Sequence, residues 1–154
     1  MDEKNQALQF AMKLIGLRRR SVFEIEERLK EKSYPDDVIS YVIEELKRFK
    51  YLDDGTFAES FINDRINLRP CGKRLIEREL RNKGISTETA KEKLDMLIDE
   101  NKELELAQRL ASKKIASIKD ISDKNKIKRK LAAYLSSKGF SFDIIGQTLK
   151  NTLE

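Results

Sequence analysis

Apolar residues return along this chain at helical spacing, and the arrangement itself returns three times. Ala7, Phe10, Ala11 and Ile15 stand at i, i+3, i+4 and i+8, one face of a 3.6-residue helix. Ala58, Phe61, Ile62 and Ile66 repeat that spacing, and Ala107, Leu110, Ala111 and Ile115 repeat it again. A second helix is marked in each copy by a pair one turn apart: Ile25 and Leu29, Ile76 and Leu80, Leu131 and Leu135. A third follows at Val38-Ile39, Val42-Ile43 and Leu46, more loosely at Ala90, Leu94 and Leu97, and at Ile144-Ile145 and Leu149. From Leu29 to Leu80 is 51 positions and from Leu80 to Leu135 is 55. The pattern predicts an all-α fold of three tandem three-helix repeats, at residues 1–50, 51–99 and 100–154. A unit of about 50 residues buries too little surface to stand comfortably alone. The repeats are therefore expected to stack in an elongated, curved solenoid-like arrangement and to share cores across their junctions.

Turn chemistry falls where this pattern needs it. Ser21 with Glu24 has the spacing of a capping box. Gly84 and Gly139 suit the left-handed residue that closes a helix, and Ser86 and Ser141 can cap the next one. Pro35 fits the first position of a helix, with Asp36 and Asp37 at its positive dipole end. Asp53 can cap the helix that opens the second repeat, with Leu52 and Phe57 spaced as a hydrophobic staple. The third copy departs from the others in a longer polar connection around Ser117–Lys126.

Composition narrows the function more than the fold. Charged residues make up 38% of the chain and hydrophobic ones 39%, so the core is thin and the surface crowded with ions. No histidine is present, which removes the commonest general base and neutral metal ligand, and the single Cys71 cannot form an internal disulfide. Cys71 reads as a small residue tolerated in a reducing compartment, and no apolar run approaches the ~18 residues of a membrane span, so a cytoplasmic location is expected. Phosphate-loop, dinucleotide and nucleophile-elbow motifs are missing. Asp53-Asp54-Gly55 fails as a calcium loop because Phe57 and Asp64 occupy ligand positions 5 and 12. The abundant carboxylates have Lys or Arg at helical spacing, the mark of surface ion pairs. The expectation is a protein that is not an enzyme and uses no cofactor or metal.

The net charge of +5 is uneven. Residues 1–50 carry 11 basic and 10 acidic side chains, residues 51–100 carry 9 and 11, and residues 101–154 carry 12 and 6. Three basic groups are candidates for contact with a polyanion, and a solvated surface is the competing reading for each. Arg18, Arg19 and Arg20 end the first helix, where a negative dipole end accounts for one or two cations but not three. Lys73, Arg74, Arg78 and Arg81 recur about a turn apart, diluted by Glu77 and Glu79. Lys124, Lys126, Lys128, Arg129 and Lys130 form the densest run, with no acid between them. Phe10, Phe57, Phe61 and Phe140 read as core, while Tyr34, Tyr51 and Tyr134 are expected to be half-exposed, without forming a base-stacking platform.

The central stretch carries a resemblance. Tyr51-Leu52-Asp53-Asp54, Phe57-Ala58, Phe61 and Arg65, then Gly72, Ile76, Glu79-Leu80 and Lys83-Gly84-Ile85, resemble the RecX signature in order and spacing. Arg18-Arg19-Arg20-Ser21 with Glu24, Leu29 and Lys30 resembles that family's first repeat, and the likeness extends over about residues 7–150. It implies a modulator, usually an inhibitor, of the RecA recombinase, and the chain is expected to be a monomer. Such a protein lodges in the RecA–DNA filament and hinders strand exchange, ATP hydrolysis and the co-protease activity behind the SOS response. It also implies weak, non-specific binding to single- and double-stranded DNA, and it supplies no catalytic residue. Two other readings remain open. One is a helix-turn-helix DNA-binding protein, although its recognition helix, Thr87–Ile98, would carry Glu88, Glu92 and Asp95, with Asp99 just beyond its end. The other is a helical adaptor for proteins with no nucleic-acid role.

Overall fold

The structure, a computed structural model, describes residues 2–119 and 122–154. Among them are nine helices and no strand. Glu3–Leu17 (α1), Val22–Glu31 (α2) and Asp36–Arg48 (α3) form the first unit. Asp54–Leu68 (α4), Lys73–Asn82 (α5) and Thr87–Leu97 (α6) form the second. Glu100–Ser117 (α7), Lys124–Ser137 (α8) and Phe142–Leu153 (α9) form the third. In every unit the three helices pack on one another, the first helix lying against the third and the second. Of the connection expected around Ser117–Lys126, Asp120 and Ile121 lie outside the described residues.

The ends of the helices are set by the residues that satisfy their free backbone groups. Ser21 accepts from Glu24 N and Glu24 Oε1 accepts from Ser21 N, both at 3.1 Å, which completes the capping box. Asp2, Asp53, Ser86, Asp99, Asp123 and Ser141 cap six further helices through their side-chain oxygens. Pro35 sits one position earlier than expected, at the N-cap of α3, because its extended backbone (ψ 158°) stops short of the helical region. Gly84 and Gly139 take the left-handed conformation at φ 81° and 88°. In the first unit Ser33 does the same at φ 63°, and Lys50 closes α3 at φ 62°, both without glycine's freedom.

The repeated apolar faces point inward. Ala7, Ala11, Ala58, Ile62, Ala107 and Ala111 are fully buried, as are Ile25, Leu29, Ile76, Leu80, Leu131 and Leu135. The alanines let each first helix approach its neighbours closely, while the branched residues fill the centre of the unit. Phe57 and Phe140 are core, but Phe10 and Phe61 are only half-buried at the margin.

The core is shared across one junction and not the other. Buried residues of the second and third units merge into one cluster running from Phe57 to Ile145. Those of the first unit, from Ala7 to Leu52, form a cluster of their own. The expectation of cores shared at both junctions is corrected here: the first is bridged by polar groups. Ser21 Oγ donates to the Lys83 carbonyl at 2.6 Å, Val22 N donates to Asp54 Oδ1 at 2.9 Å, and Lys83 Nζ stands 3.5 Å from Glu24 Oε2.

Both junctions nevertheless use the same seat. The start of a middle helix docks on the turn that closes the middle helix of the next unit. At the second junction Gly72 N donates to the Lys138 carbonyl at 2.7 Å and Arg74 N to the Gly139 carbonyl at 3.1 Å. The approach is close enough to require glycine. A Cβ on Gly72 would lie 2.3 Å from the Gly139 carbonyl oxygen, and one on Gly139 would lie 2.5 Å from Leu75 Cβ. At the first junction a Cβ on Gly84 would lie 2.1 Å from Phe23 Cβ.

Candidate polyanion and protein interface

The three arginines after α1 do three different things. Backbone extension at Arg18 (φ −167°) ends the helix, and its guanidinium reaches forward to Glu24 Oε2 at 2.6 Å. Burial opposes ionisation of Glu24, yet the Arg18 hydrogen bond, the Ser21 N–H and Lys83 outweigh it and hold its carboxyl below the ordinary range. Arg18 is therefore committed to the first junction. Arg19 is exposed. Arg20 is half-buried, with its Nε shielded from solvent and without a hydrogen-bond partner. Desolvation, and then the like charges of Arg18 and Arg28, lower its pKa.

Arg19 and Arg20 meet cations that are distant in sequence. They line a hollow of about 540 Å³ with Lys47, Lys50 and Tyr51, at the seam between α3 and the start of α4. The acids here are already engaged. Asp53 also lines the hollow but accepts from Thr56 N at 3.0 Å, and Asp54 is held by Val22 N, with burial raising its pKa. The result is a concave surface with excess positive charge in a partly desolvated setting, where an anionic group gains most. Lys47 and Lys50 were not among the sequence candidates. Their place at the end of α3 reads as dipole compensation, and nothing local says that the α1–α2 loop folds over them.

The second candidate group does not converge. Lys73 pairs with Asp95 at 3.2 Å, and both it and Arg74 face Glu103 of α7. Glu103 is only 6% exposed, and burial, offset by those two cations, raises its pKa. This carboxylate is no surface ion pair of the kind expected from the sequence. Arg78 and Arg81 are exposed farther along α5.

On α8, Lys124, Lys126, Lys128, Arg129 and Lys130 are all exposed around a helix anchored by Ile127, Leu131 and Leu135. Two of the lysines stand in the first turn, at the positive dipole end, where cations are disfavoured and where Asp123 is the cap. Helix stability does not explain that placement. Lys130 also lines a hollow of about 720 Å³ with Lys114, Lys119 and Tyr134, and Lys114 Nζ lies 5.1 Å from the Tyr134 ring centre. Cys71 is buried, which raises its thiol pKa and makes it a packing residue. Among the described residues no cluster of acids, cysteines or histidines could hold a metal, and no helix is long and apolar enough to cross a membrane. On α6, Glu88, Glu92 and Asp95 are exposed, an acidic face that a DNA groove would repel.

Fold and surface together define a helical-repeat protein built from three like units with basic hollows along it. Three sequence families match in order: RecX, first three-helix domain, over residues 7–46, RecX, second three-helix domain, over 53–94, and RecX, third three-helix domain, over 101–149. The chain belongs to the RecX family of regulatory proteins. It is 38% identical over 144 residues to the regulatory protein RecX of Pelodictyon phaeoclathratiforme, spanning 94% of this chain and 87% of that one. It is also 38% identical over 131 residues to that of Clostridioides difficile, of which it covers 61%. The crystal structure of RecX from Lactobacillus salivarius superimposes with a TM-score of 0.87 at 25% identity, covering 97% of this chain and 96% of that one.

Proposed function

We propose that this protein binds the RecA–DNA filament and lowers the recombinase, ATPase and co-protease activities of RecA. The observation that carries the reading is the match of all three RecX units, in order, along residues 7–149. The basic hollow beside α8 supports it, because a filament presents phosphate along its length and a chain of like units can meet a repeating partner at several points. In this reading the protein acts as a cytoplasmic monomer. The Lys124–Lys130 run touches single- or double-stranded DNA weakly and without sequence preference.

The test is single-stranded-DNA-dependent ATP hydrolysis by the cognate RecA, titrated with this protein. Inhibition well below one molecule per RecA supports action on the polymer. No inhibition, with filament binding also absent, refutes the reading and leaves a helical adaptor of other proteins.

A further inference from the structure

Two hollows share a wall at Tyr51, one at the seam of the first and second units and one between α1 and the end of α3. One is the cationic hollow of Arg19, Arg20, Lys47 and Lys50. The other, about 270 Å³, is lined by Leu8, Met12, Leu46 and Phe49, and Tyr51 lines both. The second is almost wholly apolar, and the acid at its edge, Glu45, is tied to Arg48 at 2.8 Å. Met12, Phe49 and Tyr51 stand 36%, 60% and 53% exposed around it, an apolar patch that the fold leaves uncovered. Lys50 holds a left-handed backbone where glycine is the ordinary choice, a strain that puts a cation on the wall of the basic hollow.

We propose that this composite surface receives an acidic protein segment carrying one large apolar side chain. The side chain enters the slot beside Phe49 and Tyr51, and the flanking carboxylates meet Arg19, Arg20, Lys47 and Lys50. Arginine suits carboxylates through paired N–H donors, and a buried apolar anchor beside a charged rim is how short segments gain both affinity and register. A nucleobase suits the slot less well. Its edge carries donors and acceptors that need partners, and apart from Tyr51 and a Glu45 already tied to Arg48 the slot is lined by apolar residues. The proposal deepens the filament reading by naming the surface that receives a protein, and rests on that reading only for which protein it is.

The test is fluorescence anisotropy with a labelled short peptide of Asp, Glu, Gly and Ser around one central Phe. Comparison probes are its Phe→Ala version, its amide version with Asn and Gln, and an oligo-dT strand. The acidic Phe peptide should bind in a salt-sensitive way and lose about tenfold in affinity on Phe→Ala. Phe49→Ala with Tyr51→Ala should cause the same loss on the Phe peptide and none on the Ala peptide. Arg19→Ala with Lys50→Ala should flatten the salt dependence. All four side chains lie outside the buried core, and circular dichroism checks that the helices persist. Equal affinity for the Phe and Ala peptides overturns the proposal. So does an oligo-dT strand that displaces the peptide and loses binding in the same variants. The RecA ATPase assay separates this surface from the filament function. Wild type that inhibits, with Phe49→Ala/Tyr51→Ala inhibiting equally, removes the surface and spares the function. Wild type without effect removes the function, while the peptide titration still decides the surface.

Discussion

Replacing Gly72 with alanine adds one methyl group where there is no room for it. The residue has φ −82°, a conformation open to alanine, so no penalty comes from the backbone angle. The cost arises in the junction, because the new Cβ would stand 2.3 Å from the Gly139 carbonyl oxygen and 2.5 Å from Phe140 N. Both are backbone atoms that no rotamer change can move. The seam must open, and the Gly72–Lys138 and Arg74–Gly139 hydrogen bonds lengthen with it. Two backbone hydrogen bonds at about 1 kcal/mol each, and a poorer N-cap worth a few tenths, give a loss of about 2–3 kcal/mol. For a chain of this size that lowers the melting midpoint by about 5–10 °C. Gly146→Ala is the matched control. It lies inside α9 with nothing within 4 Å of its Cβ, so it should gain up to about 1 kcal/mol from helix propensity. Urea denaturation followed by circular dichroism measures both. A Gly72→Ala protein within about 0.5 kcal/mol of wild type refutes the close seat between the second and third units.

Ser21→Ala removes both the capping hydroxyl and its bond to the Lys83 carbonyl, and should lose about 2 kcal/mol in the same denaturation experiment. Glu103→Gln should raise the melting midpoint at pH 7. The native carboxyl is held above its unfolded value, so the native state keeps its proton longer and stability falls as pH rises through that window. The gap between Glu103→Gln and wild type should close toward pH 4, and a gap that widens on acidification refutes the assignment. Replacing Lys126, Lys128, Arg129 and Lys130 together with alanine should weaken DNA or filament binding and flatten its salt dependence. The log–log slope should fall by about 0.9 for each phosphate that is no longer neutralised. An unchanged slope discards the α8 run as a phosphate-binding surface.

The helices were legible because their signals are local. Ala7 to Ile15 and the matching stretches announce a buried face by spacing alone, and Ser21, Asp53, Ser86 and Ser141 cap as their spacing predicts. Lys50 was not legible, since a left-handed residue other than glycine leaves no local mark, whereas Ser33 stands 51 positions before Gly84 and is marked only through the repeat. The burial of Glu103 was hidden by its charged neighbours. The candidate surface was legible only by halves. Arg19 and Arg20 stand out as a run, but their meeting with Lys47 and Lys50 depends on how the first unit folds back on itself. For Lys73 and Arg74 the sequence showed the nearby Glu77 and Glu79, but not Asp95 or the charge of Glu103 on the third unit.

The unequal cores give the molecule two joints of different stiffness. Between the second and third units a continuous apolar cluster resists bending, since any rotation exposes surface to water. Between the first and second the ties are the Phe23–Gly84 contact, hydrogen bonds and an ion pair, of which the last weakens as salt rises. On this packing the second and third units are expected to move as one arm and the first as a more compliant head. Under the proposed filament reading, a head of this kind would follow changes of pitch along its partner without unfolding. A segment seated against Arg19, Arg20, Lys47 and Lys50 would brace that joint, because those side chains belong to the head and their hollow also takes in Thr56 and Phe57 of the arm.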